Sequence, residues 1–179
     1  LAGDDTAVLL LMGALTSFLL GIGLTVTAAY VFLAIVLAPA LLGGGLDPLA
    51  VHLFILYWGM LSFITPPVAL GAFAAASISG SGPVKTGFEA MRLGLATYLI
   101  PFLFVLNPAL IGHSSVMEAF QAVVEALFGV YLIACAAQRY LPVVGEIPLL
   151  LTIPVGLSGC LVALPGLDII QLDWSNTQG

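Results

Sequence analysis

The chain has 179 residues, 61% of them apolar, with 3 Lys+Arg against 9 Asp+Glu and a net charge of −6. Charged residues make up 7%, against about 25% in a soluble domain, which leaves too little polar surface for a water-soluble enzyme. The negative charge excludes a nucleic-acid binder, and equally a peripheral protein held on anionic lipid by basic residues.

The chain begins at Leu1 with no basic segment before its first apolar run, so it is expected to be a piece of a longer membrane chain rather than a secreted precursor. No Asp, Glu, Lys or Arg occurs in residues 6–46, 48–84, 93–117 or 147–167. A spanning helix needs about 20 apolar residues. Residues 6–46 are too many for one crossing, and no polar loop divides them into two. Their middle, Leu20-Gly21-Ile22-Gly23-Leu24-Thr25-Val26-Thr27-Ala28-Ala29-Tyr30, combines two glycines and two threonines, all poor helix formers. Two half-length helices meeting there make a re-entrant hairpin over 6–42. A pair of strongly tilted spans is the alternative.

The next run carries adjacent prolines in Ser62-Phe63-Ile64-Thr65-Pro66-Pro67-Val68-Ala69-Leu70. Each removes a backbone N–H and crowds the preceding turn, and Pro66 pushes Thr65 out of the α region. A discontinuous helix over 48–79 follows, with halves near 48–64 and 67–79. The second half is rich in small residues, which allow close helix approach. Three continuous transmembrane helices are then expected: 93–110, 119–138 with Glu125 as its one interruption, and 148–164. Cys135 and Cys160 lie inside these apolar runs and read as free, buried thiols. The fold class is an all-α, polytopic membrane protein.

Lys85, Arg92 and Arg139 fall on one side of this arrangement, which the positive-inside rule places in the cytoplasm. Asp4, Asp5, Asp47, His113, Glu118, Asp168 and Asp173 fall on the other. That division requires residues 6–46 to start and end on the same outer side, as a re-entrant hairpin does. Lys85, Glu89 and Arg92 read as a solvated loop and helix start.

A hairpin tip and a broken helix at one depth are the usual construction of a secondary-transporter site. Half-helix N-termini favour anions, while unwound carbonyls and Thr hydroxyls suit a hard cation. The tip supplies Thr25, Thr27 and the carbonyls around Gly21 and Gly23. The break supplies Ser62, Thr65 and the carbonyls beside Pro66 and Pro67. The competing reading is that these hydroxyls only bond their own helix four residues back. Glu125 reads as a packing residue or, second, a proton relay. His52 reads as an interfacial hydrogen-bonder, and Tyr57 and Trp58 as interior packing or substrate contacts. No nucleophile motif, catalytic constellation or phosphate-binding loop is present.

These two interrupted segments resemble the large permease subunit of tripartite ATP-independent periplasmic (TRAP) transporters, above all the fused permeases that work with TAXI-type binding proteins. Thr86-Gly87-Phe88-Glu89-Ala90-Met91-Arg92-Leu93-Gly94, Pro101-Phe102 and Asn107-Pro108-Ala109-Leu110 are similar to the family as well. The family commonly carries Gly-Met-Gly-Leu-Pro-Thr-Thr-Ala at the hairpin tip; here Thr25 takes the proline position and Val26 replaces a threonine.

The resemblance implies a transport domain over 1–111 (hairpin 6–42, broken helix 48–79, helix 91–110) and an additional two-helix extension over 112–179. It implies that tip and break share a Na⁺ site, with Na⁺ or H⁺ as the coupling ion and no other cofactor. It further implies import of a small organic acid, C4-dicarboxylate-like or a related carboxylate, by a multi-pass protein of the bacterial inner membrane. The implied partners are membrane lipid, a periplasmic solute-binding protein of TAXI type, the remainder of the permease chain and the carboxylate solute, with no nucleic acid. The competing classes are a non-transporting membrane scaffold and an intramembrane enzyme. A polar cavity between the two interrupted segments favours transport; dry packing favours the scaffold, and clustered acidic or His residues the enzyme.

Overall fold

The computed structural model describes residues 6–142 and 144–164; Asp4, Asp5, Asp168 and Asp173 of the expected outer set lie outside them. Residues 6–43 form three helices, α1 (Thr6–Gly21), α2 (Val26–Val36) and α3 (Ala38–Gly43). α1 stops where the glycines cluster, and Gly23 turns the chain at φ +77, a conformation an L side chain resists. Thr25 then caps α2, its hydroxyl accepting the Ala28 N–H at 3.3 Å, which satisfies one of the orphan donors at a helix start. The far end of the segment returns to its origin. A Cβ on Gly13 would meet the Leu41 side chain at 3.1 Å, and one on Gly44 would overlap Leu9. Residues 9–13 and 41–44 therefore lie side by side, as the ends of a hairpin do.

α4 (Pro48–Leu61) is capped by Asp47, whose carboxylate accepts the Ala50 N–H at 3.0 Å. Its partner half-helix is α5 (Leu70–Ser79). The break spans 62–69, wider than the prolines alone require, because Ala69 adopts φ +35 before α5 can begin. Leu10, Ala14, Leu33, Leu41, Val51, Phe54 and Ile55 form the core between the hairpin and α4. In lipid this core is held by close packing rather than by escape from water. The sharpest approach is between α1 and α4, where a Cβ on Gly21 would overlap the Gly59 carbonyl oxygen.

The expected continuous helix over 93–110 is not formed. α6 (Pro83–Leu93) ends at Gly94, a 3-10 turn covers Leu95–Tyr98, α7 runs over Ile100–Leu106, and a second 3-10 turn covers Pro108–Ile111. The two helical stretches meet at 69°. Gly94 removes side-chain support at the bend, and Pro101 and Pro108 start new turns rather than continue old ones. Lys85, Glu89 and Arg92, read as a solvated loop and helix start, all lie exposed on the amphipathic helix α6.

α8 (Val116–Gln138) starts with a capping box, the Ser115 hydroxyl accepting the Glu118 N–H while Glu118 accepts the Ser115 N–H. Among the described residues it is the one helix long and apolar enough to cross a membrane by itself. α9 (Leu149–Ala163), with 15 residues, extends about 22 Å at the α-helical rise, short of a hydrocarbon core of about 30 Å. Of the three expected helices, α8 is thus long enough to span alone, α9 is continuous but shorter than a full span, and the one over 93–110 is replaced by the bent pair. α8 and α9 pack through Gly129 and Gly159; a Cβ on Gly129 would lie 2.7 Å from the Gly159 carbonyl oxygen. Between them a two-stranded ribbon pairs Tyr140 with Glu146 and Leu141 with Gly145, a small exception to an all-α chain.

Two polar contacts link distant parts of the chain. His113 and Asp47 pair at 3.0 Å at one place, while Arg92 donates to the Gln138 side chain at 3.2 Å at another, beside Arg139. Cys135 and Cys160 are both free.

Candidate functional site

The hairpin tip meets the helix break at Ser62. This side chain is 2% exposed, and its hydroxyl donates toward the Gly21 carbonyl at 3.1 Å and the Gly59 carbonyl at 3.0 Å. One proton serves both carbonyls, so the lone pairs of Ser62 Oγ stay available. The contact exists because Gly21 carries no side chain, so its backbone can meet that of α4 at Gly59. Three oxygens from two interrupted segments are thereby gathered in a buried place.

The other sequence-derived candidates are distributed around this point. Thr65 donates to the Leu61 carbonyl at 2.6 Å, the helical back-bond that competes with a ligand role. Its oxygen also bonds the Tyr98 hydroxyl. With its own proton committed to Leu61, Thr65 accepts that of Tyr98. Gly23, Thr25 and Thr27 are exposed on the hairpin's tip, Thr25 occupied as the cap of α2. Pro66 packs against α6: a Cβ on Gly87 would lie 2.7 Å from Pro66 Cγ. The structure thus brings Gly21 and Ser62 together and leaves Gly23, Thr25, Thr27, Thr65 and Pro66 outside that cluster.

Beside the cluster lies a cavity of about 300 Å³ lined by Val26, Tyr57, Met60, Leu61, Phe63, Ile64 and Thr97. Its wall is almost wholly apolar, and Thr97 Oγ1 is turned to the Gly94 carbonyl at 2.6 Å. Among the described residues the two segments meet in a buried polar contact flanked by this apolar space, closer to dry packing than to a polar cavity. The hydroxyls present satisfy themselves on nearby carbonyls, which leaves apolar side chains to face the opening. Val26, where the family commonly carries a threonine, contributes to that apolar wall.

His52 Nδ1 meets the Tyr30 hydroxyl at 3.1 Å and ties α2 to α4. Glu125 accepts from Gln121 Nε2 at 2.8 Å on its own helix. Trp58 packs edge-on against Tyr98 and Phe102, with ring centres 5.9 and 5.8 Å away, and its buried Nε1 has no partner among the described residues. Among those residues no three His, Cys, Asp or Glu side chains gather as a metal site.

Sequence reasoning missed Gly59 and Tyr98. Gly59 had a signal, since an isolated glycine inside a helical run usually has a packing reason. Tyr98 had none, because it reaches Thr65 from 33 positions away.

The family model described as tripartite ATP-independent periplasmic transporter, DctM component, matches residues 1–119. It therefore covers the hairpin, the broken helix and the bent pair, and ends in the first turn of α8. No curated protein and no solved structure matches the chain.

Proposed function

Because the chain belongs to the DctM family of tripartite ATP-independent periplasmic transporters, it is part of a membrane permease and not an enzyme, and we propose that it couples solute import to an ion gradient. The family places it in the inner membrane and gives it a periplasmic binding protein and other permease components as partners. Our finer reading is a multi-pass permease taking a small carboxylate from a TAXI-type binding protein, with Na⁺, or H⁺ in its place, as the driving ion. Residues 112–179 form an additional two-helix extension to this machinery.

The observation that carries the reading is the buried bond from Ser62 to Gly21. It joins the hairpin tip to the helix break where two helices run out and their last carbonyls lack full helical partners, the kind of oxygen a cation can share. Ser62 Oγ and the Gly21 and Gly59 carbonyls form the centre of this ion site. Thr65 lies at its border, and Gly23, Thr25, Thr27 and Pro66 form the adjoining tip and break. The return of residues 41–44 to residues 9–13 supports a hairpin that enters and leaves by one face. The pairing of Arg92 with Gln138, beside Arg139, supports one cytoplasmic side for the basic residues.

A non-transporting scaffold finds support in the apolar lining beside the site. Uptake separates the two readings. Proteoliposomes holding the permease components and supplied with binding protein should accumulate succinate or a related carboxylate with an inward Na⁺ or H⁺ gradient. Absence of gradient-driven uptake across a panel of carboxylates would favour the scaffold.

A further inference from the structure

We propose that the groove between α6, the end of α8 and the two-stranded ribbon binds the phosphoethanolamine headgroup of a membrane phospholipid. The groove holds about 290 Å³ and is lined by Arg92, Gln138, Arg139, Tyr140, Glu146 and Ile147. Two of the chain's three basic residues therefore face one space, and the third, Lys85, lies on the same helix as Arg92.

The two arginines differ. Arg92 is engaged by Glu89 at 3.2 Å and by Gln138 at 3.2 Å, which fixes its guanidinium at the groove wall. Arg139 caps α8 in the left-handed conformation at φ +55, and no ion pair joins its side chain to another described residue. Glu146 is likewise without an ion pair among the described residues. The ribbon keeps both at the same place, since Tyr140 pairs with Glu146 and the Ile147 N–H bonds the Arg139 carbonyl at 2.8 Å. A cation and an anion thus line one groove without neutralising each other. The ligand that satisfies both carries both charges.

Depth and flanking surface identify it as a lipid. The 23 residues of α8 extend about 34 Å, enough to cross a hydrocarbon core of about 30 Å. Arg139, immediately beyond its end, then stands at headgroup level. Leu93 on one flank and Leu149 and Leu150 on the other are 68%, 66% and 86% exposed, an apolar surface for acyl chains. Arg139, with help from the remaining Arg92 N–H groups and the Gln138 amide, binds the phosphate. Glu146 receives the primary ammonium. A choline headgroup cannot donate to Glu146, and a glycerol headgroup leaves its charge unanswered.

Native mass spectrometry of the purified protein with equal amounts of dioleoyl phosphatidylethanolamine, phosphatidylglycerol and phosphatidylcholine tests this. The ethanolamine lipid should be retained about threefold or more over the others, the discrimination expected of a solvent-accessible charge pair. Glu146→Gln should abolish that preference while some binding of all three remains. Arg139→Gln should weaken all three, and Arg139→Lys should restore most of the binding, which separates loss of charge from misfolding. Equal retention of the three lipids by the parent protein, or stronger phosphatidylglycerol binding, would overturn the proposal. So would competition by soluble phosphoethanolamine at the same concentration, which would mark a solute site instead.

Discussion

Replacing Gly21 by alanine places a methyl group where α4 already stands. The new Cβ would overlap the Gly59 carbonyl oxygen and lie 3.0 Å from Gly59 Cα and 3.1 Å from its carbonyl carbon. All three are backbone atoms in the body of a helix, so no side chain can swing aside. α1 must withdraw, carrying the Gly21 carbonyl away from Ser62 Oγ. Overpacking costs about 1–3 kcal/mol, and losing a buried neutral hydrogen bond about 0.5–1.5 kcal/mol. Together they predict about 1.5–4.5 kcal/mol of destabilisation. Gly59→Ala is the matched control. Its Cβ would meet the end of the flexible Leu33 side chain at 3.2 Å, and alanine gains up to about 1 kcal/mol of helix propensity over glycine. That variant should be near neutral. Unfolding in mixed micelles of rising SDS content, followed through Trp58 in the packed interior, measures both. Equal stability of Gly21→Ala and Gly59→Ala would refute the backbone contact and the site geometry built on it.

Other consequences follow from the same arrangement. Thr65→Val should raise the Na⁺ concentration for half-maximal uptake several-fold if its oxygen ligates the ion, whereas Thr65→Ser should be much milder; unchanged Na⁺ dependence would assign this hydroxyl to Leu61 and Tyr98 alone. Val26→Thr, which restores a hydroxyl at the tip, should leave Na⁺ affinity equal or better in the same titration. Replacing Pro66 and Pro67 by alanine should raise helicity by circular dichroism, preserve insertion and suppress uptake; uptake at the parental rate would mean that transport does not need the break. Cysteines at positions 7 and 42 should react with an impermeant thiol reagent from the same side of the membrane, and labelling from opposite sides would exclude a re-entrant hairpin.

The parts of the fold legible in the sequence were those where backbone chemistry overrides hydropathy. Gly21, Gly23 and Thr25 announced a turn and a helix start, and Pro66 with Pro67 announced a break. Each acts locally, through a missing side chain, a missing N–H or a capping oxygen. Over 93–110 the same signals were present in Gly94, Pro101 and Pro108, yet the long apolar run suggested one straight helix. Hydropathy reports burial in lipid but not straightness, and the bend went unseen. The ribbon over 140–146 has strands of two residues each, too few to show a strand period.

The site was legible in outline for a related reason. Sequence placed Ser62 at the break and Gly21 at the tip, but nothing in their spacing indicates that the two backbones touch. That depends on Gly21 having no side chain, which lets α1 reach the Gly59 carbonyl one turn ahead of Ser62. Thr25 and Thr27 looked equivalent to Ser62 as oxygen donors. They differ because a hydroxyl on the tip's exposed side has no carbonyl from α4 within reach, and Thr25 is spent on its own helix start.

Equilibrium binding of ²²Na⁺ to the purified permease tests the central claim most directly, because it needs neither the solute nor the binding protein. Saturable binding is expected, and Ser62→Ala should weaken it several-fold while Gly59→Ala changes it little. Binding that is absent in the parent, or undiminished in a stably folded Ser62→Ala protein, would contradict a sodium site at the junction of the hairpin and the broken helix.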